Sequence, residues 1–190
     1  MKREINPFDY AGEIFRALPG GILLTSEAED CVNAMTIGWG TVGIEWGVPI
    51  FAAYVRTNRF TYELIERTGE FTVCAPIGEP SVDVRKAIAL CGSKSGRDMD
   101  KIAKAGLHVV EAEIVRPPAI KELPLTFECR VVFTQEQPVK EISSRLAKKF
   151  YPASGEHSAP HVAYYGEILK ASDGSALPGA RTASWARGWM

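Results

Sequence analysis

Three short segments carry residue types whose spacing suits chemistry. The first is Val55-Arg56-Thr57-Asn58-Arg59-Phe60-Thr61, where an apolar strand pattern gives way to an amphipathic helix pattern. The first N–H groups of a helix lack internal partners and lie at the positive end of its dipole, so such a junction attracts phosphate. Arg56 and Arg59 add guanidinium forks that match phosphate oxygens, and Asn58 and Thr61 add neutral donors. The competing reading is a capped surface helix with two solvated arginines. The second segment is Cys91-Gly92-Ser93-Lys94-Ser95-Gly96-Arg97-Asp98. It is a donor-rich cationic loop able to close over an anion, or else a helix–helix connection in which Gly92 ends one helix and Asp98 caps the next. The third is Asn33-Ala34-Met35-Thr36-Ile37-Gly38-Trp39-Gly40. A planar ring can lie along such a strand, bonded by backbone N–H groups and by Asn33 and Thr36, with Gly38 and Gly40 permitting close approach. An ordinary strand with a bulge has the same pattern.

The elements that must position these segments are mostly strands. Residues 21–26 read as a core strand and 27–30 as a polar hairpin turn. The return strand covers 32–42, with Met35, Ile37 and Trp39 at alternate positions. Further strands are expected at 50–55, 70–75, 107–115, 125–135 and 161–171. Helices are expected at 60–68, 81–90, 98–105 and, briefly, 144–151. The first places Phe60, Leu64 and Ile65 on one face and pairs Glu63 with Arg67 on another. Asn58 or Thr61 would cap it and Gly69 would end it, while Ser81 would cap the second and Gly106 would end the third. Strands that follow one another without intervening helices suit a mainly β, antiparallel barrel with peripheral helices rather than a doubly wound sheet. One domain is expected over 1–171. A tail over 172–190, rich in Gly, Ala, Ser and Arg and holding Trp185 and Trp189, would lie over the surface or across a partner subunit.

Composition narrows the classes. The chain has 190 residues, 46% apolar and 24% charged, enough for one domain with a real core. Lys and Arg total 22 against 23 Asp and Glu, so no global field draws the chain to nucleic acid or an anionic membrane. Any anion must be held locally. No apolar run is long enough to cross a bilayer, and the start lacks the apolar stretch of a secretion signal, which points to the cytoplasm. Cys31, Cys74, Cys91 and Cys129 are widely spaced with no C-x-x-C pair, so reduced and mostly buried thiols are expected, with no zinc site and no disulfide framework.

Taken in order, the segments resemble the flavin reductase-like family of FMN-binding split barrels, which includes flavoredoxin. The resemblance spans about residues 18–171. It rests on 33–39, then Tyr54 to Ile65, then Gly69-Glu70-Phe71-Thr72-Val73, then Cys91 to Lys101, and finally His161-Val162-Ala163-Tyr164-Tyr165-Gly166-Glu167-Ile168-Leu169. The resemblance implies a homodimer with FMN near the subunit interface. It places the FMN phosphate at Arg56, Thr57, Asn58, Arg59 and Thr61. The isoalloxazine would lie along Asn33, Ala34, Met35 and Thr36, and the loop holding Cys91, Ser95, Gly96 and Arg97 would come close to it. The implied activity is hydride transfer from NADH or NADPH to FMN, with electrons passed on to an acceptor protein or small molecule. An FMN-dependent enzyme acting on an organic substrate, a non-enzymatic FMN carrier or store, and a barrel that has lost flavin are the rivals. No G-x-G-x-x-G fingerprint follows a strand, so NAD(P)H would bind only transiently. His161 is a candidate for that side, or a surface histidine at a strand start. Cys91 is a redox thiol or a packed helix-end cysteine.

Overall fold

The structure, a computed structural model, describes residues 2–174. Strands β1 (Arg3–Glu4), β2 (Ile22–Ala28), β3 (Cys31–Ile37), β4 (Gly40–Glu45), β5 (Val48–Arg56), β6 (Glu70–Ala75), β7 (Val109–Val110), β8 (Ala119–Ile120), β9 (Leu125–Gln137) and β10 (His161–Asp173) supply most of the framework. Helices α1 (Ala11–Ala17), α2 (Phe60–Thr68), α3 (Val82–Ser93), α4 (Lys101–Lys104) and α5 (Ser144–Phe150) lie between them.

The principal sheet is antiparallel throughout, in the order β3-β2-β6-β9-β10-β5-β4, with β1 added against β10. Connectivity dictates its curvature. β3 and β4 stand at opposite ends of that order, yet only Gly38 and Trp39 separate them in the chain. Seven strands at ~4.8 Å spacing would put flat edges ~29 Å apart, whereas three Cα–Cα steps reach ~11 Å. The sheet therefore rolls until its two edges approach, as the mainly β barrel reading requires. The two longest strands, β9 and β10, bend at register shifts beside Gly166 and Ile168. A Cβ on Gly166 would stand 2.5 Å from Phe71 Cζ, so glycine lets the bulged strand close onto the core.

Apolar side chains fill the barrel, among them Ile22, Leu24, Phe51, Phe71, Phe127 and Tyr164. A second cluster, with Leu23, Ala34, Cys74, Ile88, Cys91 and Ile120, sits under α3 and α4 on the outer face of β2 and β3. Covering both faces explains why β2 reads as an unbroken apolar run rather than an alternating one. Cys74, Cys91 and Cys129 are buried free thiols and Cys31 is exposed, as expected of reduced cysteines.

Several expectations need correction. The return strand breaks at Gly38-Trp39, and its second half pairs with β5 instead of β2. Turn geometry set the first half: Glu29 and Asp30 take positive φ of 50° and 62°, the twist of a two-residue hairpin. The strand expected over 107–115 shrinks to the β7–β8 ladder. The backbone N–H groups of Glu113, Ile114 and Val115 turn instead to the buried Glu128 carboxylate, at 3.1, 2.7 and 3.4 Å from Oε2. A carboxylate taken from water needs such donors more than a sheet edge does. Asp100, not Asp98, caps α4, which starts only at Lys101. The region before β2 forms β1 and α1, which pattern reading missed. The tail with Trp185 and Trp189 lies outside the described residues.

Candidate functional site

The strand-to-helix junction turns out as an uncapped helix end. Arg59 is the N-cap residue of α2 and makes no side-chain cap bond. Neither residue expected to cap it does so. Thr61 accepts from Asn33 Nδ2 at 2.8 Å, and Asn58 Nδ2 donates to Glu156 O at 2.8 Å. The first turn of α2 thus faces a cleft of about 230 Å³ without a protein side chain across its N–H groups.

Ten of the thirteen residues singled out in the sequence line that cleft: Asn33, Met35, Thr36, Asn58, Arg59, Thr61, Cys91, Ser95, Gly96 and Arg97. Three elements bring them together. β3 is an edge strand of the sheet, so part of its backbone hydrogen-bonding capacity is free of ladder partners. The 94–98 loop folds down on it, and at Gly96 an added Cβ would lie 2.2 Å from Asn33 Oδ1 and 2.9 Å from a Phe60 ring carbon. Only glycine permits that approach. Arg97 lies over the Phe60 ring at 5.5 Å, donates to Asn58 O at 3.3 Å, and pairs with Glu63. A larger cavity of about 480 Å³ adjoins the cleft and shares Met35, Thr36 and Arg59 with it. Trp39, Tyr54, Phe150 and His161 wall this second space.

Three residues behave differently from expectation. Ala34 is fully buried in the outer core cluster and does not line the cleft. The Thr57 N–H donates to Pro160 O at 3.1 Å and is not offered to the cleft. Arg56 is 9% exposed, and its guanidinium serves the protein itself. Nη1 donates to His157 O at 2.6 Å and Ala159 O at 2.7 Å, while Nη2 donates to Phe150 O at 3.0 Å. The ring of Tyr151 lies 4.8 Å beneath it. Arg56 is therefore the clamp of the 150–160 segment, which roofs the larger cavity. Arg56 and Arg59 are thus not equivalent: the donors of Arg56 are engaged with backbone carbonyls of the 150–160 segment.

Two further residues carry weight that the sequence did not reveal. Lys101 is 5% exposed, and its Nζ donates to Cys91 O at 3.3 Å. It lines the cleft beside Arg59. Burial pulls its pKa down, Cys91 opposes this, and the nearby Arg59 charge adds to the lowering, so an anion there would favour the charged form. In sequence it looks like a solvated lysine on a short helix, and only packing of α4 under β3 turns it inward. Glu156 also lines the cleft and pairs with Arg59.

His161 is not a surface histidine. It is 6% exposed, its ring centroid is 4.8 Å from that of Trp39, and Nδ1 lies 2.7 Å from Tyr151 OH. Burial chiefly, and then the Arg56 and Arg59 charges, lower its pKa to about 4, so it is neutral at pH 7. Burial raises the Cys91 thiol, which keeps its proton and packs at the helix end.

The family model described as a flavin reductase like domain matches residues 15–180. This chain belongs to the flavin reductase-like family. It is 32% identical over 145 residues to an uncharacterised Archaeoglobus fulgidus protein, covering 76% of this chain and 67% of that one. It is 33% identical over 114 residues to Escherichia coli YddH, covering 58% of each. Among solved structures it resembles flavoredoxin from Methanosarcina acetivorans, with TM-score 0.60, 28% identity, and coverage of 80% of this chain and 66% of that one. An FMN-binding domain of a flavin reductase-like enzyme from Shewanella baltica shares the fold at TM-score 0.61 and 15% identity, covering 91% of this chain and 77% of that one. The chain spans about two thirds or less of the length of the curated relatives it matches.

The residues present in this flavin reductase-like chain fit a flavin mononucleotide. A phosphate would meet Arg59, Arg97, Lys101 and the open helix end, and a planar ring would meet an edge strand with an aromatic-walled cavity alongside.

Proposed function

We propose that this chain binds FMN with its phosphate in the cleft between α2 and the 94–98 loop, and acts as an NAD(P)H-driven flavin reductase. The single observation that carries the reading is the buried Lys101 ammonium, brought from a different element to the cation-rich end of α2 and lining the same cleft. A buried cation lined up with other cations calls for an anionic ligand. When bound, FMN supplies the redox chemistry, taking two electrons from a nicotinamide and releasing them to an acceptor.

The chain's own residues bind and orient. Arg59, Arg97 and Lys101 neutralise phosphate charge, and Asn33, held by Thr61, fixes the strand beneath the ring. Arg56 holds the 150–160 roof, which screens the adjoining cavity from water. Hydride transfer to the flavin needs no side-chain general base. An exposed aromatic face with Trp46, Phe133 and Tyr165 in mutual ring contact, flanked by Ile44 and Val132, supports a homodimer. No helix among the described residues is long and apolar enough to cross a membrane; the reading places the protein in the cytoplasm.

The test is stopped-flow mixing of the FMN-loaded protein with NADH and with NADPH. Rapid bleaching of the flavin band is expected with one of them. The absence of a dinucleotide fingerprint favours a second reading, an FMN electron carrier or store, in which a partner protein alone bleaches the band. A purified protein that takes up no FMN rejects both.

A further inference from the structure

Glu156 is the one carboxylate among the residues lining the cleft, and it sits on the phosphate side. Its carboxylate pairs with Arg59, and its backbone carbonyl accepts from Asn58 Nδ2 at 2.8 Å. One residue of the 150–160 segment thus reaches the same corner twice, through side chain and backbone. The two attachments differ in permanence. The Glu156 side chain is 62% exposed against 23% for Arg59, so the carboxylate has water to retreat to while the cation stays behind. The backbone attachment, and the three Arg56 bonds on either side of it, do not depend on the carboxylate.

We propose that Glu156 is a specificity-determining residue: its carboxylate occupies the Arg59 seat until a phosphate monoester displaces it. The inference rests on the FMN reading above. A phosphate monoester brings a charge of about −1.5 to −2 at pH 7, more than the single charge it replaces, and three oxygens to use the neighbouring donors. A neutral flavin without phosphate has nothing to offer Arg59 and leaves the pair intact. The cleft then reads ligand charge by exchange: every phosphate-bearing ligand meets the cost of separating Arg59 from Glu156, and only a multiply charged group recovers it. Exposed ion pairs are weak, so the exchange is easy and the filter modest.

The test is calorimetric titration of the full chain with FMN, riboflavin and inorganic phosphate, comparing wild type with Glu156→Gln. Glutamine keeps the backbone bond to Asn58 and removes the competing charge. FMN and inorganic phosphate should each bind about two- to fivefold more tightly to the variant, with riboflavin changed less than about 1.5-fold. Glu79→Gln, which removes a carboxylate paired with Arg85, controls for net charge. Unchanged or weaker FMN binding in Glu156→Gln, equal tightening of riboflavin, or equal tightening in Glu79→Gln overturns the inference while leaving the FMN reading in place. Wild type that binds neither FMN nor phosphate overturns both.

Discussion

Lys2 and Lys101 are both drawn out of water, and burial lowers the pKa of each. Their surroundings are opposite. Lys2, at the N-terminal end of the fold, donates to Leu123 O at 3.2 Å and Ile120 O at 3.4 Å and to Thr126 Oγ1, and the charges of Glu128, Asp173 and Glu122 favour its protonated form. Lys101 has the Cys91 carbonyl at 3.3 Å, Cys91 is the one group that favours its protonated form, and the full charge beside it is the like charge of Arg59. Residue type and burial do not separate a structural cation from a ligand-binding one; saturation does. Where the fold itself provides acceptors and counter-charge, the ammonium ties the chain together. Where it provides a carbonyl and another cation, the ammonium is left with little counter-charge, which is what the FMN reading proposed above builds on.

The sharpest way to break this comparison is to remove one member at a time. Arg56→Ala has the largest expected effect, because it strands three carbonyls and frees the 150–160 roof. It should cost about 2–4 kcal/mol in urea unfolding, and Arg56→Lys should not restore it, since an ammonium cannot reproduce the fork. Lys101→Met should weaken FMN binding about 10- to 100-fold, as loss of a charge-assisted contact worth about 1.5–3 kcal/mol implies, with stability held or raised. Lys2→Met should do the reverse: lower stability by about 1–3 kcal/mol and leave FMN affinity alone. Equal FMN affinities for wild type and Lys101→Met would erase the distinction.

His161 sharpens the comparison through pH. Its folded pKa of about 4 lies below the ordinary 6.5, so the unfolded chain takes up the proton first as pH falls. Its stabilising contribution is complete above pH 6.5 and is lost as pH falls through the window down to about 4. His161→Gln should flatten the decline in the urea unfolding free energy between pH 7 and 4.5 by about 1–2 kcal/mol. The smallest effect is expected at Cys91. A protonated, buried thiol is a poor redox group, so under the proposed function Cys91→Ser should reduce flavin at a rate within about twofold of wild type, and complete loss would assign the thiol a redox role.

Much of the site was legible because its residues lie close together in the chain around local signals. The α2 boundaries emerged from the 3.6-residue period and from Gly69, which ends the helix at φ 65°. The cationic character of Arg59 and the donor-rich 94–98 loop needed only residue type and spacing. The functions of Arg56, Lys101, Glu156 and His161 were not legible, because each depends on partners about ten to a hundred residues away. Arg56 meets carbonyls of Phe150, His157 and Ala159, and nothing local to Arg56 distinguishes that fate from Arg59's.

By itself the sequence determined the mainly β framework, a hairpin turn within 27–30, the order of the three chemistry-bearing segments and the local positive charge around α2. These follow from backbone propensity and side-chain period, which act over a few residues. Only the tertiary structure decided which arginine faces the cleft, which lysine is buried beside it, that residues 113–115 give their N–H groups to Glu128, and that the sheet rolls until its two edges approach. Those outcomes depend on which distant groups become neighbours when the chain leaves water, where an unpartnered charge or carbonyl costs most.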